Sequence, residues 1–176
     1  MPSARSSASS NVCTLLRRPP VAYGMAAILL LFMGQVALFT YLRPFLETVT
    51  KVDVSVLSLM LLAIGVAGLI GTSLIGPMLT SRLARVLVII PLGMAALAVA
   101  LIALGDGMWG TAAVLAAWRL VATPAPVAWG TWLTRTLPED AEAGGGLMVA
   151  TIQLAITLGA SLGGLLFDLR GYRSTF

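Results

Sequence analysis

The chain has 176 residues, 59% of them hydrophobic and 10% charged, with a mean hydropathy of +0.98; a soluble domain carries about a quarter charged residues, so a soluble globular enzyme is excluded. Eleven Lys plus Arg against seven Asp plus Glu give a net charge of +4, and these charges sit between apolar runs without forming a concentrated basic patch, which argues against nucleic acid as a partner. With no histidine and a single cysteine, Cys13, the sequence lacks the commonest acid–base group, the Ser–His and Cys–His nucleophile pairs, an intrachain disulfide and any multi-cysteine metal cluster, and it implies no cofactor.

Residues Met1 to Pro20 are Ser-rich and basic and contain no apolar run long enough for a secretory signal peptide; they read as a polar lead-in, with the membrane part running from 21 to 176. Charge-free windows follow at Pro19–Leu42, Val54–Ser81, Val86–Gly105 and Ala143–Phe167, and Gly107–Thr134 is interrupted only by Arg119. Each is long enough to cross about 30 Å of hydrocarbon as a helix. Continuous apolar runs lack the alternation of barrel strands, and open strands leave backbone groups unsatisfied in lipid. The expected fold is therefore all-α, a polytopic membrane bundle of five transmembrane helices. The linkers, at Arg43–Asp53, Arg82–Arg85, Gly105–Gly107, Arg135–Glu142 and Asp168 onward, are too short for a soluble domain. A cytoplasmic N-terminus places Arg5, Arg17, Arg18, Arg82, Arg85 and Arg135 inside, against Arg43, Lys51, Arg170 and Arg173 outside, in the sense of the positive-inside rule. The closing Gly171-Tyr172-Arg173-Ser174-Thr175-Phe176 resembles the entry to another helix, so a truncated bundle is expected.

Polar and aromatic residues at membrane depth are the informative ones. In the first span Gln35, Phe39 and Leu42 recur at helical spacing, which puts an amide and a ring on one face; Gln35 suits either a flat polar ligand or a hydrogen bond to a neighbouring helix. In the fourth span Arg119 is expected to face a cavity or a counter-charge, or else to snorkel to the interface. Thr123-Pro124-Ala125-Pro126 removes two backbone donors in mid-span and predicts a kink; of Trp129 and Trp132, the deeper Trp129 is the cavity residue and Trp132 an interfacial one. In the fifth span Gln153, Thr157 and Ser161 step by four as a polar stripe, while Gly159 and Gly163 form a small-xxx-small pair for close packing. Gly65, Gly68, Gly71 and Gly76 are read as packing positions. No histidine, carboxylate pair or thiol falls at membrane depth, so an intramembrane enzyme is not expected.

Taken in order, Gly34-Gln35 with Phe39-Thr40-Tyr41-Leu42-Arg43-Pro44, Gly71-Thr72-Ser73-Leu74, Pro126-Val127-Ala128-Trp129-Gly130-Thr131-Trp132-Leu133-Thr134-Arg135, Ile152-Gln153-Leu154-Ala155, Gly159 and Gly163-Gly164 resemble the C-terminal half of a major facilitator superfamily transporter. The resemblance is to the twelve-helix proton-antiporter branch, which includes drug, sugar and nucleoside exporters, and within it to purine ribonucleoside exporters. It covers nearly the whole chain from about Leu15, aligning five spans with helices seven to eleven of a half-domain whose last helix is absent. It implies proton-driven efflux of purine ribonucleosides by alternating access, a bacterial inner-membrane location, and a central cavity completed by an N-terminal six-helix half. Gln35, Phe39, Arg119, Trp129, Gln153 and Thr157 would then contact substrate. At Arg119 and Ile156 the sequence departs from those exporters, which carry glycine and asparagine there. A drug or sugar exporter of the same superfamily, or a membrane fragment inactive in transport, remain the alternatives.

Overall fold

The structure, a computed structural model, describes residues 12–40, 54–104 and 107–170. All its described elements are helices: α1 Val12–Leu16, α2 Pro19–Thr40, α3 Val54–Leu104, α4 Met108–Ala122, α5 Ala125–Thr136 and α6 Ala141–Arg170. Four stretches are long and apolar enough to cross a membrane, Pro19–Leu38, Ser58–Leu104, Trp109–Thr136 and Ala141–Leu165. Pro19 and Pro20 open α2 where a missing N–H costs least. The Arg18 carbonyl accepts the N–H groups of Val21 and Ala22 at 3.0 and 3.1 Å.

The 51-residue α3 is two spans, not one. A straight helix of that length would reach about 77 Å, more than twice a hydrocarbon core. Arg82 departs from helical geometry (φ −138°, ψ 30°), and Gly71 and Gly93, eleven residues to either side of it, lie against Leu120 and Val121 respectively. The chain therefore folds back at Arg82, and Val54–Ser81 and Leu83–Leu104 form a hairpin against α4. The turn is tighter than the Arg82–Arg85 linker predicted from charge. The last carbonyls of a helical segment lack donors of their own, and here Arg135 Nη2 donates to the Leu79 carbonyl at 3.0 Å, tying the end of α5 to the fold-back point.

Between α4 and α5 the two prolines interrupt hydrogen bonding while the backbone stays in the right-handed helical region. Thr123 and Pro124 both keep right-handed helical dihedrals (φ −62°, ψ −34° and φ −69°, ψ −12°). The Thr123 N–H still donates to the Arg119 carbonyl at 3.0 Å, and the Ala128 N–H to that of Pro124 at 3.1 Å. Pro124 cannot donate to Leu120, and it is against that freed carbonyl that Gly71 packs, so closely that a β-carbon would collide with it. Glycine is needed there for approach, since any side chain would separate the two spans.

α2 packs along α6, where Gly159 approaches the Met33 backbone (a β-carbon would lie 2.5 Å from its carbonyl oxygen). Thr151 bridges the same pair, its hydroxyl lying 2.8 Å from the Leu147 carbonyl and 3.7 Å from Met25 Sδ. Gly24 on α2 makes the notch in which the Trp132 ring sits, so Trp132 is half-buried in helix packing. Gly68 meets Thr123, whereas Gly65 and Gly76 have no neighbour within 4 Å of a β-carbon. Within the stretch read as a polar lead-in, α1 folds onto the bundle and buries Leu15 completely.

Two ties gather one end of the bundle: the Arg18–Asp140 ion pair at 3.2 Å and the Arg135–Leu79 bond. The start of α2, the α3 fold-back and the α5–α6 link therefore lie together, and with them Arg17, Arg18, Arg82, Arg85 and Arg135. The flanks of the helices stay apolar and uncovered: Leu62, Leu69, Leu74 and Val99 are 64–69% exposed. A soluble chain does not leave such a surface bare, and a lipid bilayer covers it.

Candidate functional site

A cavity of about 520 Å3 opens between α2, the second half of α3, and the α4–α5 column. Its walls are predominantly apolar: Leu30, Leu31 and Leu38 from α2, Leu87, Pro91 and Met94 from α3, and the rings of Trp118 and Trp129. Gly34 and Ala37 thin the α2 wall. The volume lies in the range of small-molecule sites, which combine apolar walls with a few placed polar groups.

Two polar atoms in this wall have unmet bonding capacity. Gln35 Oε1 and Trp129 Nε1 are both buried and have no hydrogen-bond partner among the described residues. One is an acceptor and the other a donor, and such groups are costly to bury unpaired. Trp129 is 7% exposed, and its ring meets Trp132 edge to face, with centroids 5.5 Å apart at 80°. Trp132 is in turn seated on Gly24. The orientation of the Trp129 indole is thus set by aromatic packing behind it, leaving its N–H without a partner of its own.

Of the residues singled out in the sequence, the structure brings Gln35 and Trp129 to this one cavity. Arg119 is half-buried on α4 and outside the wall. Gln153 and Thr157 are exposed on α6 and also outside it. The Thr157 hydroxyl donates to the Gln153 carbonyl at 3.0 Å, a back-bond that satisfies it within its own helix. The side chain of Phe39 lies outside the described residues, as do Arg43, Lys51 and Arg173.

Trp118, 4% exposed and in the cavity wall, escaped the sequence reading. Its signal is the eleven-residue spacing to Trp129, three helical turns, which returns both rings to one face; the spacing carries across the prolines because the junction stays helical.

Fold and cavity together define a multi-pass helical membrane protein with an apolar, solute-sized cavity between its helices. The chain is 54% identical over 176 residues to the transcription regulatory protein OpdE of Pseudomonas aeruginosa PAO1, covering 98% of this chain and 44% of that protein. It is 40% identical over 168 residues to the purine ribonucleoside efflux pump NepI of Salmonella typhimurium LT2 and, equally, of Salmonella typhi, covering 96% of this chain and 42% of the pump. The chain thus spans less than half the length of the curated relatives it matches. No protein-family model matches it, and no solved structure does.

Proposed function

We propose that this chain forms part of an efflux transporter of the major facilitator type, corresponding to its C-terminal half, which exports purine ribonucleosides or similar small solutes. The observation that carries the reading is that Gln35 and Trp129 line one apolar cavity and that each brings to its wall a buried polar atom, Oε1 and Nε1, without a partner among the described residues. A purine ribonucleoside matches both. Its N–H and hydroxyl groups can donate to the amide oxygen, its N7 and O6 can accept from an indole N–H, and its flat base offers a stacking face to Trp118 and Trp129. The similarity to the Salmonella purine ribonucleoside efflux pumps supports the reading independently of the geometry.

In this reading the helices rock against a partner bundle by alternating access, with proton antiport as the driving reaction and the bacterial inner membrane as the location. The arginines gathered at one end of the bundle support a cytoplasmic N-terminus. Gln153, Thr157 and Arg119, which lie outside the wall of this cavity, are proposed to meet substrate where a second half would close over it, and Phe39, whose side chain lies outside the described residues, is proposed as a further contact.

A regulatory reading competes, because the Pseudomonas relative is named a transcription regulatory protein. The two separate in one experiment: cells making the protein and cells lacking it are loaded with radiolabelled inosine, and its release is followed. Faster release from the producing cells, lost on Gln35→Leu with protein levels unchanged, is the expected result; equal release from both would overturn the transport reading.

A further inference from the structure

We infer that the fold-back of α3 is a binding site for an anionic phospholipid, with the phosphate held by Arg82, Arg85 and Arg135 and an acyl chain lying in the groove beneath. The first observation is a recess of about 590 Å3 at the fold-back whose charged lining is Arg82, Arg85 and Arg135, with no acidic side chain in its wall. None of the three has a carboxylate partner among the described residues, where Asp140 pairs instead with Arg18. Arg135 is oriented by its bond to the Leu79 carbonyl. This spends one N–H and leaves the rest of the guanidinium fork to a ligand. Arginine forks match phosphate oxygens bidentately, and three unneutralised guanidinium groups at a membrane boundary favour an anion strongly.

A second, independent observation identifies the anion as a lipid. Directly along the hairpin lies an apolar groove of about 220 Å3, walled by Ile75 and Met78 before the fold, Val86 and Ile90 after it, and Leu120 and Pro124 from the α4–α5 junction. Met78 and Val86 flank the arginine turn on either side, so polar recess and apolar groove follow one another from the membrane boundary inward. A free phosphate would use the recess and leave the groove empty; a phospholipid fills both. Basic recesses between transmembrane helices take lipid headgroups in this manner.

The test is native mass spectrometry of the delipidated full chain in detergent, titrated with phosphatidylglycerol and with phosphatidylcholine of identical acyl chains. The first equivalent of phosphatidylglycerol is expected to bind roughly tenfold tighter than phosphatidylcholine. Arg82→Gln with Arg85→Gln should abolish that preference, whereas Arg17→Gln, a charge at the same end outside the recess, should keep it. Should the double glutamine variant fail to fold, Arg82→Lys with Arg85→Lys preserves the charge; it should retain most of the preference and lose it progressively with salt. Equal binding of the two lipids, or a preference that survives the glutamine variant, would overturn the inference. So would displacement of the lipid by equimolar inorganic phosphate, which would mark a plain phosphate site, or by a short DNA duplex, which would mark a nucleic-acid surface.

Discussion

Gln35 and Trp129 owe their interest to what they lack. A buried amide oxygen without a donor costs about 1–3 kcal/mol in the unloaded protein, so Gln35→Leu is expected to leave thermal stability unchanged or raised while nucleoside release falls; detergent-phase melting and inosine release, measured side by side, check both halves. A purely structural glutamine would give the opposite, a lower melting point. Trp129→Phe keeps an aromatic ring beside Trp132 and removes the N–H together with the pyrrole part of the indole, so it should fold with a modest loss of stability and bind nucleoside several-fold more weakly. Gly71 makes the reverse case, a residue whose role is to have no side chain. Gly71→Val drives a β-carbon into the Leu120 carbonyl, and since backbone cannot yield as a flexible side chain can, a loss of about 3 kcal/mol or more is expected. Gly65→Ala, which meets open space, should be close to neutral, and size-exclusion profiles of the two variants in detergent test the contrast.

The elements were legible where their physics is local. Windows free of charge mark the spans because lipid excludes charge, and Arg82 marks the turn within α3 because it ends the longest such window. Less was legible where tertiary packing decides. The burial of Leu15 in α1 follows from contact with α2 and α6, not from its Ser-rich surroundings. The prolines at 124 and 126 predict a kink, yet Thr123 and Pro124 hold helical dihedrals, and the freed Leu120 carbonyl is accommodated by the close approach of Gly71. The sequence places Arg82, Arg85 and Arg135 on one side of the membrane but not in one recess: Arg82 and Arg85 are far in sequence from Arg135, and the fold-back brings them together. At this scale Arg135→Ala is expected to cost about 1–2 kcal/mol by uncapping Leu79, and hydrogen exchange should quicken at 79–85 before it changes in α6.

For the molecule as a whole, the arrangement is asymmetric. One end carries the ion pair, the arginine cluster and the fold-back of α3, while the cavity lies between α2, α3 and the α4–α5 column with its polar atoms unmatched. Two of the six expected binding residues, Gln35 and Trp129, line this cavity and were visible from the sequence because an amide and an indole at membrane depth require a reason; Gln153 and Thr157, exposed on α6, and Arg119, half-buried on α4, are proposed to act only once another bundle faces them. Trp118 and Trp129 in the wall make the central claim directly measurable. Titration of inosine into the protein in lipid nanodiscs, followed by tryptophan fluorescence, is predicted to give a saturable change that Gln35→Leu abolishes and Gly65→Ala preserves. No saturable change with the native protein, or one that persists undiminished in Gln35→Leu, would contradict a nucleoside site in this cavity.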